Sequence, residues 1–396
     1  MTAPGARGPH PVVSVAAGLA AIAALWPSGL PRPAAVSAAL TAGCVAVVTV
    51  CALLATRRSP ARPAPTAATA AASLGATSCA ALLSMSWQNG LRGALGMPAV
   101  GLGWAAASVA AGLLAFVMIV WLPRTTTLLL AMVAALATGM LPAATADEPA
   151  DRRPDVPADV FYADTDGASV THRSDELVAR WVRAGGLDRR AVVIAVPTGS
   201  GWVDEAAVHG YRERFAGDVA VLAMQYSARP SWQTFVADRA AAGRTTITLL
   251  RAVLHRTGTR PPPQRPQIHI YGQSLGAVGA EAARSWADRT HPGDLAETVL
   301  VGVPGDSVAR RPGIGSRRII VANRTDPIPR WSVSLLWRPS RPPHDTRAVG
   351  RDAPQPPWLP LLGFLQTSAD LLGALDGAPG VGHRYGLEQG TGSLSS

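Results

Sequence analysis

Residues 1–146 contain no aspartate and no glutamate. Within them five stretches, 12–30, 34–56, 66–87, 98–122 and 126–144, are long and apolar. Each approaches the roughly 20 apolar residues needed to cross a hydrocarbon core. A helix satisfies its own backbone polar groups, so helices are the natural form for such segments in lipid. The third stretch, rich in Ala, Ser and Thr, carries the weakest signal. A cleaved signal peptide does not account for the pattern, which continues far beyond the first stretch. Small residues dominate, as in ASLGATSCAA and GLGWAAASVAAG, and small faces let helices approach closely. An all-α transmembrane bundle is therefore predicted over 1–146. Trp26, Trp87 and Trp121 stand near stretch ends, where amphipathic rings favour the membrane interface.

Charge argues for a bilayer and against nucleic acid. The acid-free region holds seven arginines (Arg7, Arg32, Arg57, Arg58, Arg62, Arg92 and Arg124), leaving 36 − 7 = 29 basic residues against 26 acids in the remainder. The overall net charge of +10 is thus spread over loops beside apolar segments and a nearly balanced second half, not gathered into one basic surface. Arg57, Arg58 and Arg62 form the densest positive cluster between stretches. With that loop cytoplasmic, five spans put the C-terminal half on the extracytoplasmic side, whereas four would leave it inside. We take five. All three cysteines, Cys44, Cys51 and Cys79, lie in the apolar half and read as small buried hydrophobes. The second half has none, which removes disulfides, thiol catalysis and cysteine metal sites there.

Residues 147–160 (DEPADRRPDVPADV) are polar and Pro-rich and read as a linker. From 161 to 396 short aliphatic runs alternate with longer amphipathic ones. The runs at 191–196, 219–224, 267–271, 298–303 and 318–322 read as strands. Helices fall at about 174–185, 204–215, 233–256 and 275–288, with a last apolar helix at 361–375. Continuous apolar strands joined by helices predict a mainly parallel sheet with helices on both faces. In such sheets the chemistry gathers at the carboxyl ends of strands.

One of those ends carries Gly272-Gln273-Ser274-Leu275-Gly276, between the strand QIHIY and an Ala-rich helix. This is the G-x-S-x-G arrangement of an α/β-hydrolase nucleophile, in which a sharp strand-to-helix turn thrusts the serine oxygen out of the sheet. The pattern alone is weak; its strand–turn–helix setting makes it specific. Serine needs a base, and the base an orienting acid, in the chain order Ser, Asp or Glu, His. His383, in APGVGHRYG after the last helix, is the best base. His291 follows the elbow helix too closely, His344 sits in a polar Arg/Pro stretch, and His269 packs within the strand beneath the elbow. For the acid, Asp326 follows a strand in ANRTDPIP, with Asp370 and Asp376 as rivals nearer His383. The N–H of Leu275 supplies one oxyanion donor. The loop Pro197-Thr198-Gly199-Ser200-Gly201 after AVVIAV supplies the second, from Thr198 or Gly199. That loop lacks the lysine of a P-loop and the spacing of GxGxxG, so phosphate binding is disfavoured.

Several longer strings accompany these residues: PTGSGWVD (197–204), GDVAVLAMQYS (217–227), PSW (230–232) and GQSLGAVGAEA (272–282). TDPIPRWSVSLLWRP (325–339), PPWLPLLGFLQTSADL (356–371) and GHRYG (382–386) follow in order. Together they resemble the actinobacterial membrane-anchored α/β-hydrolases, whose catalytic region follows a multi-span N-terminal domain. The resemblance implies a Ser274–Asp326–His383 triad and supplies no substrate. Related elbows usually carry Glu where this chain has Gln273. The function expected is hydrolysis of an ester or related acyl bond in a small molecule or lipid, with no cofactor and no metal. Acyl transfer to an envelope lipid and a catalytically silent membrane scaffold are the alternatives. Trp202, Trp232, Trp331, Trp337 and Trp358 read as core more readily than as an acyl pocket. Nothing in the sequence sets an oligomeric state.

Overall fold

The structure is a computed structural model that describes residues 10–57, 66–122, 159–165, 167–198, 201–227, 233–234, 238–311 and 313–391. The fifth apolar stretch, 126–144, lies outside the described residues, as does the linker up to residue 158. The chain packs as two compact units. One joins Met1–Ala144 to Val333–Pro339 and Asp352–Gly373; the other holds Thr145–Ser332, Ser340–Arg351 and Ala374–Ser396. Two short pieces from the second half of the sequence thus belong to the N-terminal unit.

Four helices open the chain: α1 (Pro11–Ala24), α2 (Ala34–Thr56), α3 (Thr66–Ala94) and α4 (Leu102–Trp121). Among the described residues, three helices, spanning Ala34–Thr56, Ala67–Ala94 and Leu102–Trp121, are long and apolar enough to cross a membrane. Helix α1 has 14 residues and rises only about 21 Å. It stops at Ala24 although the apolar stretch runs on, because Pro27, Gly29, Pro31 and Pro33 follow. Small residues set the packing. Ser108 of α4 donates to Ser37 of α2 at 2.9 Å, and a Cβ on Gly112 would lie 3.0 Å from Thr41, so α2 and α4 run the same way. Gly18 of α1 presses on Ser73 of α3, and beyond α1 the Ser28 hydroxyl accepts from Gln88 of α3 at 2.7 Å. The helices therefore alternate in direction. The α1–α2 turn shares one end of the bundle with the end of α3, and the end of α2 and the start of α3 lie at the other. Cys51 and Cys79 are exposed on their helices rather than buried.

The second unit alternates strands and helices from β1 (Val160–Ala163) and α5 (Val170–Arg183) to β2 (Ala191–Val196) and α6 (Glu205–Arg214). It continues through β3 (Val219–Met224), α7 (Ala241–Thr257), β4 (Gln267–Gln273), α8 (Leu275–Thr290), β5 (Leu295–Val301), β6 (Arg317–Asn323) and β7 (Thr346–Val349). Helix α9 (Leu362–Asp370) belongs to the first unit, and the short α10 (Glu388–Thr391) ends the second. The seven strands run in the order β1-β3-β2-β4-β5-β6-β7, every pair parallel.

Strand periodicity divides the core in two. Val192, Ile194 and Val196 point to the face covered by Leu177 and Trp181 of α5, Leu249 and Val253 of α7, and Ala277, Ala280 and Ala283 of α8. Their neighbours Ala191, Val193 and Ala195 meet Ala207 and Tyr211 of α6, with Phe215 and Tyr385. Both faces are buried, which is why these strands read as unbroken apolar runs. The edge strands β1 and β7 are only part-buried, and their sequences VFYA and TRAV carry too little pattern to be read beforehand. Helix α7 starts at Ala241, later than the expected 233. Because β3 and β4 flank β2 on opposite sides, the winding reverses between β2 and β4. The carboxyl ends of that pair form the crevice where ligands bind in open parallel sheets.

Candidate active site

Ser274 stands in that crevice, between β4 and α8, with φ 55° and ψ −123°. A left-handed φ at a non-glycine residue costs on the order of 1–3 kcal/mol and persists only where surrounding structure enforces it. Here the enforcement is visible. The Ser274 N–H donates to the Val301 carbonyl of β5 at 2.9 Å, holding the turn to the neighbouring strand. A Cβ on Gly272 would fall 2.4 Å from the Gly276 carbonyl oxygen, and one on Gly276 only 2.3 Å from that of Val196. Both glycines of the motif are thus demanded by close backbone approach. The Ser274 side chain makes no capping bond to α8, which leaves its hydroxyl free for other work.

The same close approach brings Leu275 beside the end of β2. Its N–H opens α8, where the first amides have no intrahelical partner and the helix dipole is positive. Of the second set of donors, Thr198 has its N–H already given to the Trp202 carbonyl at 2.9 Å. That backbone group is therefore spent on the loop itself, a correction to its expected role. Gly199 lies outside the described residues. The loop is also pinned by Tyr162, whose hydroxyl donates to the Gly201 carbonyl at 2.7 Å.

His383 and Asp326 meet. The His383 Nδ1 lies 2.7 Å from Asp326 Oδ2, and both residues are buried. Two further donors hold the carboxylate: the Tyr385 hydroxyl at 2.5 Å on Oδ2 and the Ile328 N–H at 2.9 Å on Oδ1. In a neutral ring, an acceptor fixed on Nδ1 places the proton there and leaves the lone pair on Nε2. Nε2 is buried and has no hydrogen-bond partner among the described residues. A buried polar atom with no partner is costly in a fold that has no use for it.

Register places this ring at the carboxyl end of β5. Gln273 pairs with Val301, and Gly302 follows Val301 with φ 54°. A Cβ there would lie 2.3 Å from His383 Cε1 and 2.7 Å from its Nδ1. The imidazole therefore packs directly on the residue after Ser274's backbone partner. The end of β6 clasps the histidine loop from both sides. Asn323 Nδ2 donates to the carbonyls of Gly382 (3.0 Å) and Arg384 (2.8 Å), while Thr325 Oγ1 accepts from Gly382 N–H at 2.9 Å. Gln273 donates to the His383 carbonyl at 3.3 Å.

Burial and the Asp326 charge push the Tyr385 hydroxyl well above its ordinary range, so it stays a donor to the carboxylate. His269 packs under the elbow as expected, edge-on to Phe215 at 5.2 Å. Desolvation, with Arg214 nearby, pulls it down to about 4, so it is neutral there. The rival acids are elsewhere: Asp370 is ion-paired with Arg32, and Asp376 is exposed. His344 is exposed, and His291 stands against Trp286. None of the expected core tryptophans is fully buried among the described residues. Trp202 and Trp337 are exposed and Trp331 and Trp358 half-buried, while Trp232 lies outside the described residues. Asn323, Thr325, Gly302 and Tyr385 were not singled out from the sequence. Asn323 and Thr325 lie in ANRTDPIP and Tyr385 in GHRYG, whereas Gly302 had no signal.

Residues 160–318 and 309–392 match the alpha/beta-hydrolase family. The chain belongs to that family. Among curated proteins, no sequence matches it. Among solved structures, a cutinase-like protein from Cryptococcus sp. is similar at 14% identity, over 46% of this chain and 87% of its own, with a TM-score of 0.26. That likeness is too low to transfer anything to this chain.

Proposed function

We propose that this α/β-hydrolase family member is a membrane-anchored serine hydrolase that cleaves esters or related acyl bonds through an acyl-enzyme on Ser274. The observation that carries the reading is the buried, unbonded Nε2 of His383, oriented by Asp326 and packed against the strand residue next to Ser274's backbone partner. His383 Nε2 takes the Ser274 proton as Oγ attacks the acyl carbon, and Asp326 steadies the imidazolium that forms. The Leu275 N–H receives the oxyanion, with the Gly199 N–H as second donor. The proton then passes to the leaving oxygen. Water, deprotonated by the same nitrogen, releases the acid and restores Ser274. Each step is met by side chains and backbone, with no cofactor.

The substrate class proposed is a small-molecule or lipid acyl compound, and the anchor is the first unit. Residues 352–373 pack in that unit against the end of α1, where Gln366 donates to the Ala23 carbonyl at 2.8 Å. This is the bundle end opposite Arg57, where α2 ends and the sequence runs on to Arg58 and Arg62. A cytoplasmic arginine loop puts residues 352–373, and the hydrolase chain on either side of them, on the extracytoplasmic side. The four helices return the chain to the arginine end at Trp121, so the apolar stretch 126–144 is the fifth crossing in this reading.

A membrane-impermeant fluorophosphonate tests both parts. Wild type becomes labelled in intact cells and Ser274→Ala does not. No labelling even after lysis would sink the nucleophile, and labelling only after lysis would reverse the side.

A further inference from the structure

Asp370, set aside above as the triad acid, is buried in the first unit and held from two directions. Arg32, in the α1–α2 turn, places Nη2 and Nε on Asp370 Oδ1 at 2.7 and 3.1 Å. The Gly29 N–H takes Oδ2 at 2.7 Å. The rest of the guanidinium is used on the same helix: Nη1 donates to Gln366 Oε1 at 2.6 Å and Nη2 to the Gln366 carbonyl at 2.9 Å. Arg32 is itself fixed through its backbone. Its N–H donates to Gln88 Oε1 at 2.8 Å, and its carbonyl accepts from Trp104 Nε1 at 3.0 Å. The Arg32 and Asp370 side chains are 6% and 4% exposed, so water does not loosen the pair.

Helix α9 ends at Asp370, and residues 371–373 lead the chain to Ala374. The Ala374 carbonyl accepts the His383 N–H at 2.7 Å. Gly382, at φ 58°, is so close that a Cβ would stand 2.4 Å from the same oxygen. Ala374 therefore fixes the backbone of the proposed base and of the residue before it. We propose that Arg32 is a positioning residue for His383, acting through Asp370 and the short turn from α9 to Ala374. The N-terminal helices would then tune the reaction as well as anchor it. The kinetic arm of this idea rests on the proposed hydrolase reading; its structural arm does not.

The test uses the full-length protein in detergent micelles. Arg32→Met keeps the length of the side chain and removes its charge and donors; Arg32→Lys restores the charge without the fork. Backbone hydrogen exchange is followed over 362–373 and over 374–386, beside hydrolysis of a p-nitrophenyl ester across pH. Arg32→Met should speed exchange in both segments and lower kcat by about 10- to 100-fold with KM nearly unchanged, as for a general base displaced by a fraction of an ångström. Its kcat–pH profile should broaden or move, and Arg32→Lys should recover part of each effect. A merely local anchor would speed exchange in 362–373 alone, and that result overturns the proposal. Where Arg32→Met fails to fold, Asp370→Asn carries the test, since it keeps the volume and weakens only the ion pair. The same two-segment pattern is then expected at lower amplitude, and unchanged exchange over 374–386 overturns the proposal. Absence of hydrolysis in wild type would instead refute the serine-hydrolase reading, with the exchange arm still deciding the coupling.

Discussion

Gly302→Ala is the sharpest single-atom probe of the site, because it adds one methyl group where the imidazole already stands. The new Cβ would lie 2.3 Å from His383 Cε1, 2.7 Å from Nδ1 and 3.0 Å from the Tyr385 hydroxyl. Carbon atoms in contact sit about 3.5–4.0 Å apart, so the ring must retreat by more than ~1 Å or the strand must shift. Retreat breaks the 2.7 Å bond to Asp326 and removes Nε2 from the serine. The positive φ of 54° adds roughly 1–2 kcal/mol of backbone cost for any residue with a Cβ. In a domain of this size that cost lowers Tm by only about 2–8 °C, so the variant should still fold. A misplacement of ~1 Å costs about 100-fold in rate, and loss of general-base catalysis 100- to 10,000-fold. Steady-state hydrolysis of a p-nitrophenyl ester, with thermal unfolding measured on the same preparation, separates the two effects. A folded Gly302→Ala protein with turnover within about threefold of wild type would refute the placement of His383 and with it the proposed chemistry.

Other consequences are testable in the same assays. Tyr385→Phe removes a donor from Asp326 and the acceptor of the Asn323 N–H; the more basic carboxylate should raise the acid limb of the kcat/KM profile toward higher pH, with activity down about tenfold. An unmoved limb would argue that Tyr385 does not act on the carboxylate. Thr325→Val leaves the Gly382 N–H unpaired in a buried site and should cost about 1–3 kcal/mol of stability, read as a lower denaturation midpoint; no change would mean the clasp is not under load. His269, held near 4 against an ordinary 6.5, takes up its proton earlier when the chain unfolds. Its contribution to stability is therefore complete above pH 6.5 and is lost as pH falls toward 4, amounting to about 3 kcal/mol. Denaturation at pH 7 and pH 4 should show His269→Phe with a much flatter acid slope than wild type, and equal slopes would contradict the assignment.

The proposed catalytic constellation was half legible in the sequence, for reasons that differ residue by residue. Ser274 could be read because its motif states a local geometry: two glycines two residues away, a strand before and a helix after. Asp326 and His383 could be picked out by chain order and by lying after a strand and after the last helix. What holds them could not. Asn323 and Thr325 at the end of β6, Gly302 at the end of β5 and Tyr385 within the histidine loop come together only in the fold, and no motif joins those three segments. Thr198 misled for a related reason: a Gly-rich loop advertises free amides, yet its own turn consumes the Thr198 N–H. The central strands were legible because burial on both faces writes an unbroken apolar run. The edge strands β1 and β7, wet on one side, left none.

The sequence by itself determined the two broad characters of the chain, an acid-free helical half and an alternating α/β half. Hydropathy and periodicity are local properties, each legible within the residues of a single element. Only the tertiary structure decided which later residues pack among the N-terminal helices. Residues 352–373 read as hydrolase and Asp370 as a rival acid near His383. In the fold that carboxylate is paired instead with Arg32, 338 residues earlier. A buried charge must find its partner wherever the packed chain supplies one, and no window along the sequence holds both.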